Sequence, residues 1–312
     1  MHISTVVGLG LDGPQTSDDV VAEVRRAADL GLAGAWWGQV FGRDALTSLT
    51  VAGLSVPDLP LGTAVVPTYP RHPLALAAQA LTVQAALGDR LTLGIGPSHA
   101  PLIEGAFGLP FDRPAQHTRE YLDALVPLLR GEAVDVRGEL VRAAGQVTVA
   151  GAAPPSVLVA ALGPVMLRVA GELADGTIAT WAGPRVLGEH VVPRLTAAAD
   201  AARRPAPRVV LSLPVAVTDD EGGARAWVAE RFGMARDLPS YRAVLDREGA
   251  SGVADVVVAG DEAAVAGQLR SLADAGATEL LAVPYGPPDQ VSRTLEALAG
   301  LNDAARPEAT AR

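Results

Sequence analysis

Three stretches of this chain place residue types where they could do chemistry. In Leu162-Gly163-Pro164-Val165-Met166 an apolar run meets a helix start. Proline suits the first helical position, because its fixed φ matches the helix and its missing N–H would be unpaired there anyway. The amides of Val165 and Met166 would then point outward with the positive end of the helix dipole, and Gly163 leaves room for an anion to reach them. That is the chemistry of a phosphate cradle, although an ordinary strand-to-helix turn uses the same residues. In Gly94-Ile95-Gly96-Pro97-Ser98-His99 two glycines at a strand end would admit a flat ring. His99 beside them can donate, accept or shuttle a proton near neutral pH; a surface-loop histidine would look no different. In Leu61-Gly62-Thr63-Ala64-Val65-Val66-Pro67 small residues in a core strand leave space above them. A planar group could press on the backbone there, or a large barrel neighbour could fill the gap.

The remaining histidines are weaker candidates. His2 begins the first strand, His190 sits in a helix, and His72 in Arg71-His72-Pro73 reads as the cap of the helix that follows. His117 opens a helix with Tyr121 one turn later and is a second proton-donor candidate. No histidine–carboxylate spacing has the form of a metal site. The absence of cysteine excludes a disulfide scaffold, a thiolate nucleophile and a cysteine-ligated metal. All 25 basic residues are arginine, so lysine chemistry, including the Walker-type phosphate loop and the pyridoxal Schiff base, is excluded too. A net charge of −10 with scattered arginines gives no footprint for nucleic acid. An anionic ligand would have to be held locally, by backbone amides and one or two arginines.

The elements that must position these residues follow a repeated joint: an amphipathic helix, a glycine stop, then a short apolar strand. It appears at Ala27–Gly31 into Ala33–Trp37, Ala85–Gly88 into Leu91–Ile95, Leu173–Gly176 into Thr177–Trp181, and Asp274–Gly276 into Glu279–Val283. Ser17 and Asp261 read as helix N-caps. Short continuous apolar runs such as Val157–Leu162 and Val209–Leu213 suit parallel strands buried on both faces. About eight strand–helix units with right-handed crossovers favour a closed (β/α)8 TIM barrel, an α/β fold, over an open doubly wound sheet. With 312 residues of which 49% are apolar, one barrel domain over residues 1–301 followed by a disordered tail, 302–312, accounts for the chain. Two insertions follow the fourth strand: a long loop, Pro97–Gln116, and a hairpin within Glu132–Val149, both expected near the barrel's C-terminal mouth or its flank. The longest nearly apolar stretch, Pro73–Leu87, is too short to cross a bilayer, and the N-terminus reads as a strand rather than a targeting signal.

In order and spacing, several of these segments resemble the bacterial-luciferase-like monooxygenase superfamily, and within it the branch that uses the deazaflavin coenzyme F420. They are Leu61–Pro73, Gly88–Gly96, Ala160–Pro164, Ala174–Thr177 and the helix at Gly260-Asp261-Glu262. The resemblance implies a (β/α)8 barrel with an insertion region, usually a homodimer; with no targeting segment read in the sequence, the expected location is the cytoplasm. It also implies a bulged third strand with a non-proline cis peptide at Ala64–Val65, and a phosphate-binding turn at Gly163-Pro164-Val165. His99 falls where some relatives place a glutamate proton donor. Many relatives end the second strand with an aspartate–histidine pair, where this chain has Trp37-Gly38-Gln39-Val40. Gln39 can hydrogen-bond a ring but cannot move a proton, so no catalytic role carries over at that strand.

The expectation is therefore an F420-dependent oxidoreductase that moves a hydride between deazaflavin C5 and a small organic substrate. His99 would be the acid/base, Gln39, Ala64, Val65, Gly96 and Ser98 would frame the ring, and Gly163, Pro164 and Val165 would hold the phosphate. The loop Pro97–Gln116 would close over the substrate. The alternatives are an FMN-dependent monooxygenase of the same fold and a non-catalytic barrel that carries a flavin. Pro73–Leu87 is apolar almost all round, and with the helix near Asp44–Leu54 it is the expected dimer face.

Overall fold

The computed structural model describes residues 1–9, 15–39 and 41–304. Eight parallel strands close into a barrel: β1 (His2–Val6), β2 (Ala35–Trp37), β3 (Leu61–Thr63 continuing as Val66–Pro67), β4 (Leu91–Gly96), β5 (Ser156–Ala160), β6 (Gly176–Thr180), β7 (Arg208–Val217) and β8 (Glu279–Pro284). Closure runs through β7, paired with β6 from Arg208 to Ser212 and with β8 from Val210 to Val215, and through β8 paired with β1 from His2↔Glu279. This is a (β/α)8 TIM barrel, with helices packed outside the strands. The helix–glycine–strand joints form as expected: Gly31 and Gly276 take φ of +76° and +103°, which turns the chain back toward the sheet at little steric cost. Asp261 caps its helix through the Ala264 amide at 2.8 Å. The first helix, Ser17–Asp29, is capped one residue earlier than expected, by Thr16 in a capping box with Asp19.

Two layers fill the barrel. At the N-terminal end, Glu279 accepts from the Ser4 hydroxyl (2.7 Å) and the Trp36 indole (3.2 Å) and pairs with Arg208 (2.8 Å), which also reaches Thr92 (3.3 Å). Each buried polar group in this plug therefore has a partner. Above it lie Val6, Trp36, Leu158, Ile178, Val210 and Leu281, with Ala64, Val65 and Val283 packed on top of them. A much larger apolar shell joins the outer faces of the strands to the helices.

The insertions differ from expectation in two ways. Pro97–Gln116 is not all loop, because it holds a short helix, Ala100–Gly105, and the helix Pro114–Leu129 begins inside it. The hairpin Val134–Arg137/Arg142–Gly145 is present and lies on the flank, where His72 donates to Arg142 O and Glu120 accepts from the Leu140 and Val141 amides. A third excursion, unforeseen in the sequence, separates β7 from β8. It carries the helices Glu221–Phe232 and Pro239–Glu248 and the short strand Val258–Gly260, which extends the edge of β7. The end of the chain also differs. The final helix, Pro288–Ala304, runs past residue 301, and Asn302 is buried, accepting from the Ile3 amide and donating to Gly31 O. Residue 302 thus belongs to the packed structure; residues 305–312, and Val40, lie outside the described residues.

Candidate active site

The C-terminal mouth is shaped by a bulge in β3. Ladder pairs Gly62↔Thr92 and Val66↔Ile95 leave three residues of β3 opposite two of β4, one residue in excess. The Thr63 side chain repairs the broken ladder: its hydroxyl donates to Gly94 O at 2.7 Å and accepts from Gly94 N at 2.9 Å. The Ala64–Val65 peptide is cis, as the resemblance implies. Glycine is required around this bulge because the backbones nearly touch. A Cβ on Gly94 would stand 1.9 Å from Thr63 O, and one on Gly96 would stand 2.9 Å from both Ala160 Cβ and Val65 Cγ2.

Above this floor lies a cavity of about 380 Å³. Val65, Ala160 and Ile178 line its base; Pro97–Pro101 and Phe111 form one wall, Leu162, Gly163 and Met166 a second, and Leu238–Tyr241 a third. Of the expected site residues, Val65, Ser98, His99 and Gly163 line this cavity together. Ala64 and Gly96 sit beneath it as parts of the tight floor. Gln39 does not face it: its side-chain oxygen accepts from the Ala45 amide (3.1 Å) and from Arg71 (3.3 Å), closing a helix start instead of framing a ring. His117 and Tyr121 are also drawn elsewhere. His117 is stacked on Tyr69 with centroids 3.8 Å apart, and its Nε2 lies 3.1 Å from Thr68 Oγ1, while Tyr121 is buried behind it.

Gly163 is the N-cap of the helix Pro164–Leu173, and no side chain caps that helix. Pro164 and the half-exposed Val165 flank the opening, and a Cβ on Gly163 would meet nothing within 4 Å. The unpaired first-turn amides therefore face open space beside the cavity, which is the arrangement an anion needs. His190, set aside in the sequence as a helical residue, positions this turn. It is buried in a single π-helical turn, Leu187–Val191, and donates to Leu162 O at 2.8 Å. Thr63 and Tyr241 are the other residues that sequence reasoning missed. The Tyr241 ring meets His99 edge-on with centroids 4.9 Å apart. Burial lowers the pKa of His99 and raises that of Tyr241 to about 12, so both are neutral at pH 7.

The whole architecture from the first strand to the final helix matches one family model, luciferase-like monooxygenase, over residues 1–303. The chain belongs to that family. A protein of Mycobacterium tuberculosis provisionally named a coenzyme F420-dependent oxidoreductase is 30% identical over 196 residues, 58% of this chain and 56% of the relative. The match thus spans just over half of that relative's length. An F420-dependent secondary alcohol dehydrogenase solved with an F420–acetone adduct superposes with a TM-score of 0.82 at 15% identity, covering 98% of this chain and 99% of the other. The FMN-bound oxygenating component of 3,6-diketocamphane monooxygenase from Pseudomonas putida superposes at 0.76 and 16% identity, covering 98% of each chain. At those identities the two structures establish the shared fold alone. The fold is thus shared by enzymes named for either cofactor, and this luciferase-like chain is an oxidoreductase. Among the described residues no cluster of histidine and carboxylate side chains could hold a metal ion, and no helix is long and apolar enough to cross a membrane.

The stacked His117 gives this luciferase-like barrel a pH-dependent stability. Burial pushes its pKa down to about 4, against about 6.5 for an unfolded histidine. As pH falls below about 6.5 the unfolded chain takes up a proton that the native chain refuses until about pH 4. Stability is therefore complete above that window and lost through it, by on the order of 3 kcal/mol at the acid end. Urea unfolding at about pH 7 and about pH 5 should show about 2 kcal/mol of this loss, and His117→Gln should remove most of the difference. An equal pH dependence in the variant would assign the effect to other groups.

Proposed function

We propose that this chain is an F420-dependent oxidoreductase, acting in the cytoplasm as a homodimer on a small organic substrate. The observation that carries the reading is the juxtaposition at one mouth of two features. One is a flat, apolar floor of Val65, Ala160 and Ile178; the other is an uncapped helix N-terminus at Gly163. A planar ring with a phosphate-bearing arm fits both: the floor offers no side chain to obstruct the ring, and the free amides of Val165 and Met166 suit the phosphate. When bound, F420 would supply the hydride-carrying carbon. The residues of the chain do the rest. His190 holds the turn through Leu162 O, Thr63 holds the bulge, the Pro97–Pro101 wall excludes water, and His99 holds a proton at the cavity's polar corner. The F420-linked name of the mycobacterial relative supports the deazaflavin. FMN is the second reading, because an FMN-bound monooxygenase shares the fold.

The reading of a dimer is supported by two adjacent outer helices, Ala45–Ser55 and Pro73–Ala86, that carry no charged residue while Val51 and Leu54 remain 43% and 65% exposed. Light scattering at micromolar concentration should give twice the chain mass of 31.9 kDa; a monomer would contradict this face. Titration of the purified chain with F420 and with FMN should show F420 binding at least about tenfold more tightly, a difference of about 1.4 kcal/mol. His99→Ala should then lower kcat by at least about tenfold while F420 affinity stays within about threefold, since a lost proton donor acts on the transition state and not on binding. Preference for FMN would overturn the cofactor, and an unchanged kcat would remove His99 from the chemistry.

A further inference from the structure

The cavity wall that faces away from the floor has an unusual composition for this chain. Among the described residues lining it there is no aspartate, glutamate or arginine, in a protein of which 19% of residues are charged. A second cavity, of about 320 Å³ on the flank, shows the contrast: Arg225, Glu248 and Asp255 all line it. At the mouth, the apolar share of the walls comes from Pro97, Pro101, Phe111, Leu238 and Pro239. Two helix starts without a side-chain cap, at Gly163 and at Leu238, bring partial positive charge to the opening, and on the reading proposed above a phosphate takes the first. A substrate with a full charge would leave water here for a wall that offers no charged side chain to pair with it, which weighs against binding.

The polar side chains lining the cavity are Ser98, His99, Thr180, Ser240 and Tyr241, of which two meet as a pair. His99, from the loop after β4, and Tyr241, from the excursion after β7, meet edge to face across the opening. Neither the His99 ring nor the Tyr241 hydroxyl has a hydrogen-bond partner among the described residues. The Tyr241 hydroxyl and a neutral imidazole can each donate to a ligand oxygen, and the imidazole can accept from one. We infer that the substrate is an uncharged, largely apolar molecule that presents a single carbonyl or hydroxyl oxygen to the His99–Tyr241 pair. Hydrophobic contact with the proline, leucine and phenylalanine walls would supply affinity, and the oxygen would fix which carbon faces the floor.

This inference rests on the proposed use of the mouth as a cofactor site, and its test separates the two. Three probes share one ring and differ in charge: cyclohexanone, cyclohexanecarboxylate and cyclohexylamine. Their binding is measured by saturation-transfer NMR on the chain loaded with whichever of F420 or FMN it binds, and on the cofactor-free chain. The expected result is that cyclohexanone binds at least about tenfold more tightly than either charged probe. Tyr241→Phe, which keeps the ring and its contact with His99, should weaken cyclohexanone at least about fivefold without altering the thermal melting curve. Failure of F420 to bind would overturn the cofactor proposal, while the order of the three probes on the FMN-loaded or bare chain would still decide the substrate class. Equal or tighter binding of a charged probe, no binding of cyclohexanone in any form, or an unaltered affinity in Tyr241→Phe would overturn the inference.

Discussion

Strand β3 approaches its neighbours at the barrel mouth more closely than any side chain between them would permit. Cβ atoms on Gly38, Gly94 and Gly96 would stand 2.9 Å or less from Ala64 O, Thr63 O, and Val65 Cγ2 with Ala160 Cβ. Lower in the same barrel, Trp36 occupies the space over Gly62, where a Cβ would lie 2.2 Å from the indole. The interior therefore steps from large residues in its middle layer to small ones at its mouth, and the step is what opens the cavity. In many barrels the layers are filled to the top with branched side chains. Here the missing volume at the mouth forms a floor on which a flat ring can lie.

Everything around the floor can be read as holding or completing it. Thr63 substitutes its hydroxyl for the ladder bonds that the bulge removes from Gly94. His190 pins the carbonyl before Gly163, so the helix that would receive a phosphate starts at a defined place. The excursion after β7 brings Tyr241 over the opening, and the loop after β4 brings His99 to meet it. The charged residues are spent elsewhere, in the Glu279–Arg208 plug at the other end of the barrel and in pairs on the outer surface. No charged side chain lines the mouth's cavity among the described residues, which suits the hydride chemistry proposed for it.

Much of this architecture is local and therefore legible in the sequence. The glycine joints, the Asp261 cap and the His72 cap each depend on neighbours within a few residues, and each forms as read. The glycine pair in β4 and the Gly163-Pro164 turn were legible for the same reason. What escaped depends on distant partners. Gln39 stands at a strand end where a ring contact is plausible, but the Ala45 amide and Arg71 compete for its oxygen and win. Asn302 has no local signal that it will satisfy Ile3 and Gly31, some 270 to 300 residues away along the chain. Tyr241 reaches His99 only because the barrel closes between β7 and the strands before it, and His190 matters only because its helix packs under Leu162.

The central claim is that the floor receives a deazaflavin ring whose phosphate rests on the helix start at Gly163. The most direct test compares two ligands that share the ring, coenzyme F420 and the phosphate-free deazaflavin nucleoside-like core, in fluorescence titrations of the wild-type chain and of Gly163→Val. The wild type should prefer F420 by at least about tenfold, about 1.4 kcal/mol. The valine would project into the open space beside the free amides, so the variant should lose that preference while binding the phosphate-free ring as before. A Gly163→Val chain that binds F420 as tightly as the wild type would contradict the account.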